Sequence, residues 1–303
     1  MDITTFISQT IVYTTVYALV SLGIVIGGRT GIFNISGEGI MLAAASSGFI
    51  ISYLTENWFF GYLAGALVGC IIGFILVFIH ENFKVNQFII GISLVLLGSA
   101  FSDLLYKMVI GARLFVPMAP PTPEVNIPLL SKIPIISGFL NQDVIVFFMY
   151  VMTLLAWWFY YKTKIGLETR AIGENPKATD VVGVKVIRRR YLATITGSAL
   201  IGVAGAYLTL GITGAYSPDI SAGRGFMAVG IAIFASWKPQ RAIIGAFLFA
   251  AIEVISFKLQ IISHNIPFQF FLMLPFISVL IVMVLLKKQV EFPASLGKPY
   301  SRE

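Results

Sequence analysis

The chain has 303 residues, 57% of them hydrophobic and 12% charged, with a formal net charge of +7. An ordinary soluble domain is about a quarter charged, so this composition excludes a water-soluble globule and points to an all-α, polytopic membrane protein. The basic excess lies mainly in loops between apolar runs, which excludes a nucleic-acid-binding surface and fits the retention of cationic loops on the cytoplasmic side.

Apolar runs able to cross a hydrocarbon core of roughly 30 Å recur from end to end. The sequence predicts nine segments, near residues 9–28, 37–54, 58–79, 87–108, 142–161, 191–212, 225–237, 241–258 and 268–286. The first ten residues carry no Lys or Arg and no small-residue cleavage pattern, so they read as the start of a true helix rather than a secretory signal. The segments at 37–54 and 225–237 are short and rich in Gly, Ala and Ser, as half-helices or tilted pieces would be. Cys70 is the one cysteine, so no intrachain disulfide forms. His80 and His264 lack neighbours at ligand spacing and read as interfacial residues.

Six prolines between residues 111 and 141 (Pro117, Pro120, Pro121, Pro123, Pro128 and Pro134) predict a stiff, extended loop rather than a helix. Such a loop serves equally as a docking surface for an external partner or as a connector. The stretch from Lys162 to Arg190 carries eight cations against Glu168, Glu174 and Asp180. Fixing it in the cytoplasm puts the N-terminus outside, the proline-rich loop outside, and Arg29, Lys84, the Trp237–Arg241 turn and the C-terminal tail inside. Lys107, Arg113, Lys132 and Lys258 are the exceptions, the last within snorkelling reach of the surface.

The two halves share an ordered series of motifs. Ile35-Ser36-Gly37-Glu38-Gly39-Ile40-Met41 aligns with Ile220-Ser221-Ala222-Gly223-Arg224-Gly225-Phe226-Met227 after one insertion, and Gln87-Phe88 aligns with Gln269-Phe270. The chain therefore divides into a first transmembrane repeat (1–110), an outer loop (111–141), a connecting helix (142–161), a cytoplasmic loop (162–190), a second repeat (191–290) and a tail (291–303). Matched spans are five apart, so the repeats are expected to be inverted and to meet at broken helices near the midplane.

Irregular backbone at membrane depth survives only when buried in protein or facing water. The Gly- and Ser-rich segments around Asn34, Ser36 and Glu38, and around Asp219, Ser221 and Arg224, are therefore the expected borders of a passage for a polar solute. Charges among apolar neighbours are functional candidates, which adds Glu253 and Asp103. Symmetry predicts that Glu38 and Arg224 pair. No phosphate-binding G-x-x-x-x-G-K-[ST] run and no catalytic set is present, so the chain reads as a transport subunit rather than an enzyme. Uphill transport then needs either a separate ATPase or an ion moving through Glu38 or Glu253.

Four stretches resemble the permease subunits of ABC importers that serve simple sugars, branched-chain amino acids and nucleosides. They are Thr30-Gly-Ile-Phe-Asn-Ile-Ser-Gly-Glu-Gly-Ile-Met-Leu42, Ile127-Pro-Leu-Leu-Ser-Lys-Ile-Pro-Ile135, Arg170-Ala-Ile-Gly-Glu-Asn-Pro-Lys-Ala178 through Gly183, and Gly223-Arg-Gly-Phe-Met-Ala228. The first two are most similar to the nucleoside branch. The resemblance implies a bacterial cell-membrane permease working with an ABC ATP-binding subunit, a second permease subunit (identical or not) and an extracytoplasmic solute-binding protein or lipoprotein. ATP and magnesium would be bound by the partner, with no cofactor in this chain, and the cargo would be a nucleoside or, alternatively, a simple sugar such as ribose. It also implies a short cytoplasmic helix that couples to the ATPase, involving Gly173, Glu174, Asn175, Lys177, Ala178 and Gly183. Lys177 stands where the usual importer pattern has an acidic residue. The local chemistry agrees: Asn175 suits an N-cap, Pro176 a first turn, and Gly183 a terminus.

Overall fold

The computed structural model describes residues 3–111, 116–125, 134–262, 267–286 and 290–301. Much of the Ile127–Ile135 motif, together with Pro128, Arg113, Lys132, His264, Lys287, Lys288 and Arg302, lies outside the described residues.

Among the described residues, eight helices are long and apolar enough to cross a membrane. They are α1 (Ile3–Gly28), α2 (Gly37–Thr55), α3 (Trp58–Phe83), α4 (Gln87–Val109), α6 (Val144–Lys162), α9 (Val186–Tyr207), α11 (Pro239–Ile262) and α12 (Phe268–Leu286). A π-helical turn at Leu208–Thr213 extends α9. The ninth predicted segment is the short helix α10 (Arg224–Phe234). Two small helices, α7 (Lys164–Glu174) and α8 (Pro176–Val181), fill the basic loop. This is the polytopic all-α membrane fold that the sequence predicts.

Local chemistry sets the helix starts. Asn57, Asn86 and Asp143 each accept a backbone N–H from the first turn of α3, α4 and α6, satisfying donors that a helix leaves free. The proline-rich segment departs from expectation at one point. Pro134 opens a seven-residue helix, α5 (Pro134–Leu140), because the first helical position needs no N–H and proline presets its φ. The extended part survives as strand β1 (Glu124–Val125), antiparallel to β2 (Gln142–Asp143).

The core is built where α1 and α9 cross. A methyl on Gly23 would lie 2.3 Å from Gly197 O, and one on Gly197 would lie 2.3 Å from Gly23 O, so only glycine permits this backbone approach. α1 also packs on α10 and α11, and α9 packs on α2 and α3. The lipid-sized apolar side chains are left outside, as on α4, where Phe88, Ile89, Leu96 and Leu104 are exposed.

α2 and α10 both begin inside the bundle. Gly37 lies against Val20 and Ile24 of α1, and Val20 is eight residues, about 12 Å, from the end of that helix. The chain after α1 therefore turns back into the bundle before α2 starts. The segment after α9 does the same before α10. The two short approaches meet with helix N-termini facing, Gly37 being 3.8 Å (from its ideal Cβ) from Gly225 O.

Candidate functional site

The meeting point of α2 and α10 holds a buried polar cluster. Glu38, in the first turn of α2, spends both carboxylate oxygens on the start of α10. Its Oε1 accepts from Ser221 Oγ at 2.5 Å and Gly223 N at 2.8 Å, and its Oε2 accepts from Gly225 N at 2.6 Å. Free N–H groups and the positive end of the helix dipole make a helix start a favourable place for a carboxylate. Here one carboxylate sits between two such starts, with 4% of its residue surface exposed.

Arg224 does not pair with Glu38. It turns to Glu253 on α11, whose Oε1 accepts from Arg224 Nε at 2.9 Å and Nη2 at 2.7 Å. Glu253 Oε2 accepts from Tyr17 OH at 2.7 Å. Arg224 Nη1 donates to Ile220 O at 3.1 Å, and the guanidinium lies over the Tyr13 ring at 5.5 Å. The physical reason is local: the N–H groups of α10 already occupy the Glu38 carboxylate, and α11 supplies a second one to the guanidinium. A buried ion pair is tolerable when the remaining hydrogen-bonding capacity is used, and Tyr17 and the Ile220 carbonyl use it.

The irregular segment before α2 is held by Asn34. Its amide donates to Ser198 Oγ on α9 at 2.9 Å, and its Oδ1 accepts from Ser36 Oγ at 2.6 Å and Ser36 N at 3.1 Å. Gln87 accepts from Phe33 N at 2.6 Å, and its Nε2 lies 2.7 Å from His80 Nε2. His80 Nδ1 is 2.8 Å from Val85 O, so this histidine works within a hydrogen-bond chain. Among the described residues no cluster of His, Cys, Asp and Glu could hold a metal ion.

The seven predicted path residues thus separate into two kinds. Asn34, Ser36, Glu38, Ser221 and Glu253 are buried and Arg224 is nearly so; Glu38, Ser221, Arg224 and Glu253 share one bonded cluster, while Asn34 bonds to Ser36 and to Ser198. Asp219 is exposed, in a left-handed turn at φ 56° followed by Ala222 at φ 46° and Gly223 at φ 78°. Asp103, the other charge considered, accepts from Tyr216 OH at 2.8 Å.

At the basic end of the bundle, Asn175 caps α8 by accepting from Ala178 N at 3.1 Å, with Pro176 in the first turn. Gly183 follows at φ 89° and donates to Asp180 O. Gly173 packs so closely that an added methyl would lie 2.4 Å from Arg29 O. Its carbonyl accepts from Ser295 N and Oγ, and Glu174 accepts from Ala294 N at 3.4 Å. The helix pair therefore rests on the end of α1 and on the C-terminal segment. At the end of α8, Val181 and Val182 are 88% and 82% exposed, an apolar pair on a polar end.

Sequence reasoning missed one centre here. Arg190 is fully buried: its Nη1 donates to Glu81 Oε1 at 2.6 Å and to Lys298 O, and its Nε donates to Thr30 O at 3.0 Å. It ties α3, α9, the end of α1 and the tail together. The signal was its spacing, since Val186, Arg190, Thr194 and Gly197 fall on one buried face of α9.

Eight described helices long and apolar enough to cross a membrane, with the starts of α2 and α10 meeting inside the bundle, define a polytopic membrane protein. Residues 6–285 match the family model described as branched-chain amino acid transport system / permease component, and the chain belongs to that family. It is 30% identical over 262 residues to a putative glucose ABC transporter permease protein of Haloferax volcanii, covering 85% of this chain and 78% of the relative. It is 29% identical to a nucleoside ABC transporter permease protein of Lactococcus lactis, covering 97% and 96%, and 27% identical to a guanosine ABC transporter permease protein of Bacillus subtilis, covering 99% and 98%. The chain is thus a multi-pass transport component of an ABC system rather than an enzyme; in such a system ATP binding belongs to a separate subunit.

Proposed function

We propose that the chain is the permease subunit of an ATP-driven importer and forms part of the path by which nucleosides cross the cell membrane. The observation that carries the substrate is similarity along nearly the whole chain to the nucleoside and guanosine permeases. A simple sugar is the second reading, favoured by the likeness to the putative glucose permease.

In this reading the basic end is cytoplasmic, with the C-terminus inside and the N-terminus outside. The ATP-binding partner docks on α8, where Lys177 and Ala178 belong to the helix, Asn175 caps it, and Val181 and Val182 offer apolar contact. Glu174 and Gly173 brace it against the tail. Nucleotide-driven movement of α8 then reaches α6 through α7 and α9 through Gly183. A second permease subunit completes the path, and an extracytoplasmic binding protein or lipoprotein delivers the solute.

The inverted-repeat reading draws support from packing: exchanging the first-repeat helices for their second-repeat counterparts turns the α3–α9 contact into α11–α1, and α2–α9 into α10–α1. Asp219 is the predicted path residue best exposed to meet a solute. Glu38, Ser221, Arg224 and Glu253, with Asn34 and Ser36, border the path from behind by holding the starts of α2 and α10. An ion-coupled carrier would have to free Glu38 or Glu253 from these bonds in every cycle.

Uptake of labelled nucleoside by cells expressing the chain with its partner subunits tests the substrate. Uptake competed by unlabelled nucleosides and unaffected by excess free ribose is expected. Competition by ribose would move the cargo to sugars.

A further inference from the structure

We propose that the basic end carries a site for one anionic phospholipid, with an acyl chain in the cleft between α6 and α9 and the phosphate on a cationic rim. Two cavities adjoin there and share Arg189 and Leu192. The first, of about 480 Å³, is lined almost wholly by apolar groups, among them Ile26, Ala156, Phe159, Leu192 and Ala193. The second, of about 650 Å³, has Lys164, Lys185, Arg188 and Arg189 in its lining, beside Val182 and Gly183 at the end of α8. Glu168 offsets one of these charges, binding Arg189 at 2.8 Å. Lys164, Lys185 and Arg188 are exposed and form no ion pair among the described residues.

An apolar slot continuous with a cationic rim matches a molecule with a hydrocarbon tail and an anionic head. Basic pockets beside membrane helices recognise such headgroups. Depth agrees: Trp157 and Trp158 are exposed on α6 about one turn from its basic end, and indoles favour the membrane–water boundary. An acidic protein surface would meet the rim but leave the slot empty, and a zwitterionic lipid would fill the slot but gain little from the rim. The occupant is therefore a lipid of net negative charge.

The test uses the purified permease, with whatever partner subunits accompany it, exchanged into mixed vesicles of dioleoyl phosphatidylglycerol and dioleoyl phosphatidylcholine. Lipid retained after detergent extraction is read by native mass spectrometry. Phosphatidylglycerol is expected to be retained in preference. Each of Lys164→Gln, Lys185→Gln and Arg188→Gln is expected to lower its retention about fivefold, whereas Lys185→Arg leaves it unchanged. Ala193→Phe, or Thr196→Trp should the first fold poorly, fills the slot and is expected to reduce retention of both lipids. Equal retention of the two lipids, or a preference that survives the triple charge removal, overturns the proposal. Undiminished phosphatidylglycerol binding in both slot-filling variants leaves only an anion site and also overturns it. So does a Thr196→Cys variant that cross-links to a second permease copy across the slot.

Discussion

Glu38→Ala is expected to loosen the junction of α2 and α10 and to lower stability sharply. The carboxylate accepts from Ser221 Oγ, Gly223 N and Gly225 N. A hydrogen bond to a charged group contributes about 1.5–3 kcal/mol, so the three set an upper bound of about 9 kcal/mol. The serine hydroxyl can rotate to another acceptor, and alanine removes the desolvation cost of the carboxylate. What remains is two backbone N–H groups without partners inside the bundle, at about 1–3 kcal/mol each. The net expectation is a loss of about 2–6 kcal/mol. At about 2 °C per kcal/mol for a chain of this size, the melting temperature in detergent should fall by about 4–12 °C. Intrinsic fluorescence serves as the readout, because Trp237 is fully buried and reports on the core. Glu38→Gln keeps one acceptor oxygen but turns an NH2 toward the remaining donors, so its loss should be intermediate. A Glu38→Ala protein that melts with the parent would refute the idea that this carboxylate joins the two helices. A Glu38→Gln protein of parental stability that fails only in transport would instead make Glu38 a group that acts in the cycle itself.

Three further outcomes follow from the packing. Gly197→Ala should cost about 1–3 kcal/mol, read as lower membrane yield and melting temperature, because its methyl would lie 2.3 Å from Gly23 O; parental stability would mean the α1–α9 crossing has room to spare. Arg190→Met should cost up to about 3–5 kcal/mol, since among the described residues it leaves the buried Glu81 with only Lys84 Nζ, 3.7 Å away, as a counter-charge, and adding Glu81→Gln should restore much of it in a double-mutant cycle; a purely additive second loss would contradict that. Val182→Asp should change stability by less than about 0.5 kcal/mol, since the side chain is exposed, yet abolish ATP-dependent uptake; retained uptake would remove the end of α8 from the partner contact.

The membrane fold was legible because most apolar runs are long and uninterrupted, and the breaks were legible because Gly, Ser and Asn gather at Gly27–Gly39 and Gly, Ser, Pro and Asp at Gly211–Gly225. Asn175 and Pro176 announced the start of α8 for the same reason, their chemistry being local. Partners across the bundle were not legible. Equivalent repeat positions led to a Glu38–Arg224 pair, but equivalence under a repeat fixes register, not contact. The structure gives Glu38 to the start of α10 and Arg224 to Glu253, 29 residues further along the chain. Arg190 ends a run of three arginines, so charge counting places it in the loop and hides its position on the buried face of α9. The prolines around Pro134 predict extended chain, though a proline at a helix start carries no penalty.

The central claim is that ATP hydrolysis in a partner drives a nucleoside through this chain. The direct measurement is labelled nucleoside accumulation in proteoliposomes holding the permease, its ATP-binding partner and the solute-binding protein, with and without an ATPase-inactive partner and with a protonophore present. Accumulation that requires hydrolysis and persists in the protonophore is the predicted result. Accumulation that ignores the inactive partner and collapses with the proton gradient would contradict it.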